Sequence, residues 1–154
     1  MTDADTETQL HIERFGCSVN HILAEGELPP FSFSVGIEAT SSAPEVVVVG
    51  LKKDLAHFIV NEYNRRVRAG ESFVPGQRYK GFLEGFEVAA EAVDRAHYKE
   101  YFGYNLRYYC GDNFRVLQLV YPNRSGVWPW QVEADSWFKA WQPLLTSSGV
   151  AGGA

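Results

Sequence analysis

The run Glu45-Val46-Val47-Val48-Val49-Gly50 constrains this chain more than any other stretch. Four consecutive valines favour extended backbone and leave no polar side for water, so a run bounded by Pro44 and Gly50 predicts a strand buried on both faces. Ahead of it, residues 31–40 alternate apolar and small side chains and stop at the turn-forming Thr40, Ser41 and Ser42, which predicts a neighbouring strand. Pro29 and Pro30 hold the lead-in extended. Residues 15–23 alternate in the same way and predict a further strand.

After Leu51 the period changes. Leu55, Phe58, Ile59, Tyr63 and Val67 recur at helical spacing, Asn61, Asn64, Arg65 and Arg68 fall on another face, and Gly70 supplies a stop, predicting a helix from about Lys53 to Ala69. Arg65, Arg66 and Arg68 in its last turn complement the unpaired carbonyls there. Pro75-Gly76 marks a turn, and residues 79–83 and 86–93 flank Glu84-Gly85 as a hairpin. Residues 94–109 have roughly helical spacing with Asp94 as N-cap and a break at Gly103. Residues 114–121 alternate and end at Pro122, a further strand. The mixed order predicts a single-domain α+β fold, a mixed and mostly antiparallel sheet with two main helices packed on one face. Residues 1–10 are acidic and without periodicity and residues 146–154 are small, so both ends are expected to be flexible tails around a domain spanning 11–145.

A net charge of −5 argues against a nucleic-acid or anionic-membrane partner, each of which needs a basic face. No apolar run approaches the ~20 residues that span a bilayer. With an acidic, polar start and two cysteines, Cys17 and Cys110, outside any CxxC pattern, a cytoplasmic protein is expected. No Walker loop, GxGxxG, GxSxG or HExxH occurs, and no two of the four histidines are closely spaced, so no cofactor or metal is expected.

The blocks PPFSFSVGI, APEVVVVGL, VRAGE, PGQRYKGFLEG, FRVLQLVYPNRSGVWPW and QPLL, in that order from about Phe15 to Leu145, resemble the bacterial family catalogued as domain of unknown function 4262. The resemblance implies no activity, substrate or cofactor. Where members typically carry a tyrosine in the first of these blocks and His-Pro-Glu in the next, this chain has Ser32-Phe33-Ser34 and Ala43-Pro44-Glu45. Any role that the family's histidine plays is absent at position 43.

Two functional readings follow. In the first the chain is a small-ligand-binding or accessory protein-interaction module, its surface formed by Gln118, Tyr121, Asn123, Arg124, Trp128 and Trp130 with Arg78, since aromatics in a Pro- and Gly-bounded loop give rigid contact area. The same tryptophans also read as a lid over one end of the sheet. In the second it is a hydrolase or transferase acting on a small polar substrate, with His57 as base, Glu45 as its partner and Arg78 or Arg124 binding an anion. Glu45 also reads as half of a salt bridge with Arg65 or Arg78. The β-rich residues 114–121 suggest an edge strand through which the chain forms a homodimer.

Overall fold

The computed structural model describes residues 2–147 and 149. Its elements in chain order are α1 (Asp3–Phe15), β1 (Ser18–Ile22), β2 (Phe31–Val35), α2 (Ile37–Ser41), β3 (Glu45–Val49) and α3 (Lys53–Arg68). There follow β4 (Arg78–Leu83), β5 (Phe86–Ala92), α4 (Tyr98–Tyr101), α5 (Gly103–Tyr108), β6 (Val116–Val120) and α6 (Ser136–Trp141). The six strands form one sheet in the order β1-β2-β3-β6-β5-β4. Every pairing is antiparallel except β3 with β6, which run parallel with Glu45 beside Val116. The fold is the predicted single-domain α+β arrangement.

The valine run is β3, and all five of its residues are buried. The side chains of its four valines alternate between two cores, so both faces of the run are apolar. Val46 and Val48 pack with Ile59, Val60 and Tyr63 of α3. Val47 and Val49 pack on the opposite face with Tyr98 and Phe102 of α4 and its C-cap. Helices therefore cover both faces, not one as expected; the break at Gly103 gives two short helices, and together these still screen the second face. On α3 the buried stripe is Ala56, Ile59, Val60, Tyr63, Asn64 and Val67, whereas Leu55 and Phe58 are exposed at 39% and 52%. Ile59, Tyr63 and Val67 are buried as expected, with Ala56, Val60 and Asn64 completing the stripe in place of Leu55 and Phe58.

Three further expectations are corrected. The N-terminal residues are not a tail: they form α1, started by a capping box in which Thr2 accepts from the Asp5 amide and Asp5 from that of Thr2. Only Thr8 and Ile12 of this helix are buried, so its apolar stripe is too thin to register as periodicity. The strand of residues 31–40 ends at Val35, and Gly36, at a left-handed φ of 109°, turns the chain into α2. Finally, β6 lies between β3 and β5 and is paired on both sides, so residues 114–121 offer no free edge for dimerisation. Of the expected C-terminal tail, residues 148 and 150–154 lie outside the described residues, while Thr146 is buried.

Acid should weaken the outer face of α3. Glu62 accepts from Arg65 Nε at 2.9 Å and Nη2 at 2.8 Å and from Arg66 Nε at 2.8 Å. Arg65 first, then Arg66, hold its carboxyl down, against burial, to about 2 from an ordinary value of 4.5. A lowered folded pKa contributes stability that is complete above the unfolded value and lost as pH falls. Urea midpoints followed downward from about pH 4.5 toward about 2 should fall in the wild type, with this portion of the fall missing in Glu62→Gln. An equal fall in both proteins would show that the carboxylate does not couple to folding.

Candidate functional site

Glu45, at the start of β3, is fully buried. Its carboxylate accepts from Ser34 Oγ at 2.7 Å, from the amides of Gly36, Ile37 and Glu38 at 3.0, 3.1 and 3.2 Å, and from the Tyr109 hydroxyl. These three amides are among those that the first turn of α2 leaves unpaired, and the next, of Ala39, donates to the Tyr109 hydroxyl at 3.2 Å, so Glu45 with Tyr109 caps this helix from within the fold. Burial pushes the carboxyl pKa up, opposed by the Tyr109 and Ser34 bonds, and burial with the Glu45 charge pushes the Tyr109 phenol up. Neither expected arginine is its partner: Arg65 is forked onto Glu62, and the Arg78 guanidinium lies 4.7 Å from the Trp128 ring centroid. Nor does it meet His57. The sheet register sets His21 opposite Ser32 and Ser32 opposite Val48, three residues or about 10 Å along β3 from Glu45, and His57 joins that end.

The aromatic loop is folded inward. Trp128 packs on Ala89 and Val120 and stacks on Trp130 at 5.0 Å. Gln118 donates to the Pro143 carbonyl and accepts from the Leu145 amide, both at 2.9 Å, and Tyr121 donates to the Val49 carbonyl at 2.8 Å. Asn123 accepts from the amides of Ser125 and Val127, closing the turn that exposes Arg124. This is the geometry of a lid. The tryptophans cover the β5–β6 end of the sheet, and the polar groups around them are spent on internal bonds.

A wide opening lies elsewhere, between the last turns of α1, the start of β1 and the outer flank of α3. This cleft has a volume of about 820 Å³. Phe15, Cys17 and Val19 give it an apolar floor; His57, Asn61, Asn64, Arg65 and Arg68 form one wall and His11 stands across from them. On α3 these wall residues are spaced i, i+4, i+7, i+8 and i+11, a polar stripe beside the apolar one. Asn64 Nδ2 donates to the Phe15 carbonyl at 2.9 Å, as does Arg68 Nη1, which ties the end of α1 to α3 and fixes the cleft's width. Asn64 Oδ1 is buried with no partner among the described residues. Burial raises the Cys17 thiol to about 12, so it is an inert part of the floor.

His57 also belongs to a chain of polar contacts. Its Nδ1 is 3.0 Å from His21 Nε2, the rings stack with centroids 5.2 Å apart, and His21 Nδ1 is 2.6 Å from Ser32 Oγ. Burial, then the neighbouring His57, pushes the His21 pKa down. Ser32 is buried, so it serves as an anchor and not as a reacting hydroxyl. Of the four histidines, His11 and His57 therefore share one cleft and His21 adjoins it. The sequence pointed to His57 alone, because His21 lies 36 residues away and the two meet only across the seam between β1 and α3. Among the described residues no three His, Cys, Asp or Glu side chains are close enough to share a metal ion. No described helix is long and apolar enough to cross a membrane.

With this geometry in place, comparison with known families gives one assignment. The family described as domain of unknown function DUF4262 matches residues 11–135, and the chain belongs to it. Among curated proteins and among solved structures, none matches the chain significantly.

Proposed function

We propose that the chain is a binding module for a small molecule, and that the cleft between α1, β1 and α3 is its site. The observation that carries this reading is the cleft itself, about 820 Å³ with an apolar floor and a polar wall. Clefts that hold small ligands run to roughly 300–1,000 Å³ and combine apolar lining with a few placed polar groups. The aromatic loop supports a binding role less well, because Gln118, Tyr121 and Asn123 are already bonded within the fold. The hydrolase or transferase reading loses its central element, since Glu45 caps α2 and is not paired with His57. Two unpaired cysteines support a reducing compartment, in keeping with a cytoplasmic setting, and the family resemblance supports a bacterial one.

None of the four tryptophans lines the cleft, so backbone amide shifts are the better reporter. Titrating the ¹⁵N-labelled protein with a library of small polar metabolites should move the amides of Val19, Asn61 and Ala69. Shifts confined to residues 123–130, or none from any compound, would overturn the assignment of the site.

A further inference from the structure

The cleft's charge is at odds with that of the chain. Against 14 Lys and Arg and 19 Asp and Glu overall, the residues lining it include two arginines, two histidines and no carboxylate. Arg65 is neutralised by Glu62, and His11 has Glu7 at 4.0 Å. Among the described residues Arg68 has only the Phe15 carbonyl as a side-chain hydrogen-bond partner, and no carboxylate lies within ion-pair distance of it. A cationic wall over a floor of Phe15 and Val19 fits an anionic group carried on an apolar body.

The imidazole pair adds a second condition. At 3.0 Å, the facing nitrogens of His21 and His57 must present one N–H to one lone pair. When His57 Nδ1 donates to His21 Nε2, His21 Nδ1–H donates to Ser32 Oγ and His57 Nε2 is left with a free lone pair on an exposed ring in the cleft wall. A proton taken up from solvent at that nitrogen makes His57 an imidazolium that still donates to His21. A second proton would set N–H against N–H and break the contact. The pair therefore holds one extra proton while the contact lasts. Other charges around it are Lys53 and Asp54 at the start of α3, which act on His21 in opposite directions, with Arg65, Arg68 and His11 along the cleft.

We propose that the cleft binds a small carboxylate with an apolar body together with one proton, held on His57 and shared with His21. This rests on the cleft being the ligand site. Benzoate, benzamide and benzamidine share one ring and differ in charge, which makes them the probes. Calorimetry in buffers of different ionisation enthalpy should show benzoate binding with uptake of up to one proton, and affinity rising as pH falls, by up to about tenfold per pH unit. In His57→Gln, which alters an exposed side chain, uptake should vanish and affinity should fall about tenfold. Amide shifts should place benzoate at Val19, Asn61 and Ala69. Benzoate bound there without proton uptake, or with uptake unchanged in His57→Gln, overturns the proton coupling and leaves the cleft as the site. Benzamide or benzamidine bound there in preference to benzoate overturns the anion assignment alone. No binding by any of the three overturns the proposal as a whole, while shifts from the metabolite library elsewhere on the protein overturn the cleft.

Discussion

Glu45→Ala should cost about 3–5 kcal/mol in urea unfolding. The carboxylate is the common acceptor for Ser34, three α2 amides and Tyr109, and alanine would leave these donors facing a void that water cannot enter freely. The damage should spread beyond α2, because Ser34 Oγ also accepts from the Val46 amide and so couples the carboxylate to the pairing of β2 with β3. Glu45→Gln keeps the shape but turns an NH₂ toward N–H or O–H donors, so its loss should be intermediate. Tyr109→Phe removes one donor of five and should cost least. If Glu45→Ala unfolds within about 1 kcal/mol of the wild type, the network is a consequence of the fold and not one of its supports.

Gly50→Ala should follow, at about 2–5 kcal/mol. The residue has φ +88°, and a Cβ there would stand 2.6 Å from the Tyr121 hydroxyl and 2.7 Å from the Trp141 carbonyl. Neither neighbour can withdraw easily. Tyr121 is bonded to Val49, Trp141 Nε1 donates to the Gly50 carbonyl at 2.9 Å, and the Gly50 amide donates to Pro30 at 2.7 Å. Left-handed strain of about 1–2 kcal/mol and overpacking of about 1–3 kcal/mol therefore add. Gly70→Ala separates the two terms, since Gly70 has φ +99° with open space around it and should show the strain alone, about 1–2 kcal/mol. Because α6 is held to the end of β3 through Trp141, tryptophan emission should also change in Gly50→Ala and stay constant in Gly70→Ala. Equal losses in the two variants would mean that packing against Trp141 contributes nothing.

What the sequence made legible follows from how local each signal is. The valines of β3, the hairpin around Glu84-Gly85 and the helix ending at Gly70 are each set by neighbours within one element, and each forms where expected. Helix α1 was hidden because its start is a pair of side chain to backbone bonds between Thr2 and Asp5, with only two buried residues to mark its face. Helix α2 was hidden for another reason: its N-terminal amides are satisfied by Glu45, on a different element, so the local sequence carries no cap. Glu45 and His57 stand out in the sequence, but their partners were not readable. A carboxylate beside a buried strand looks the same in sequence whether it meets an arginine, a histidine or a helix end. The tryptophan cluster left two readings open, because aromatics that cover the end of a sheet have the composition of aromatics that bind.

The parallel contact of β3 with β6 has a kinetic meaning. Strands β1, β2 and β3 form one antiparallel meander, β4, β5 and β6 form another, and the two abut only through their third strands. Within each meander the pairings join segments consecutive in the chain, whereas Glu45 must find Val116 across all of α3, the second hairpin and the α4–α5 segment. Loop closure costs more over that length than within a meander, so the pairing of β3 with β6 is predicted to form after the two meanders. The middle of the sheet, its most deeply buried part, is thus also the boundary between its two meanders.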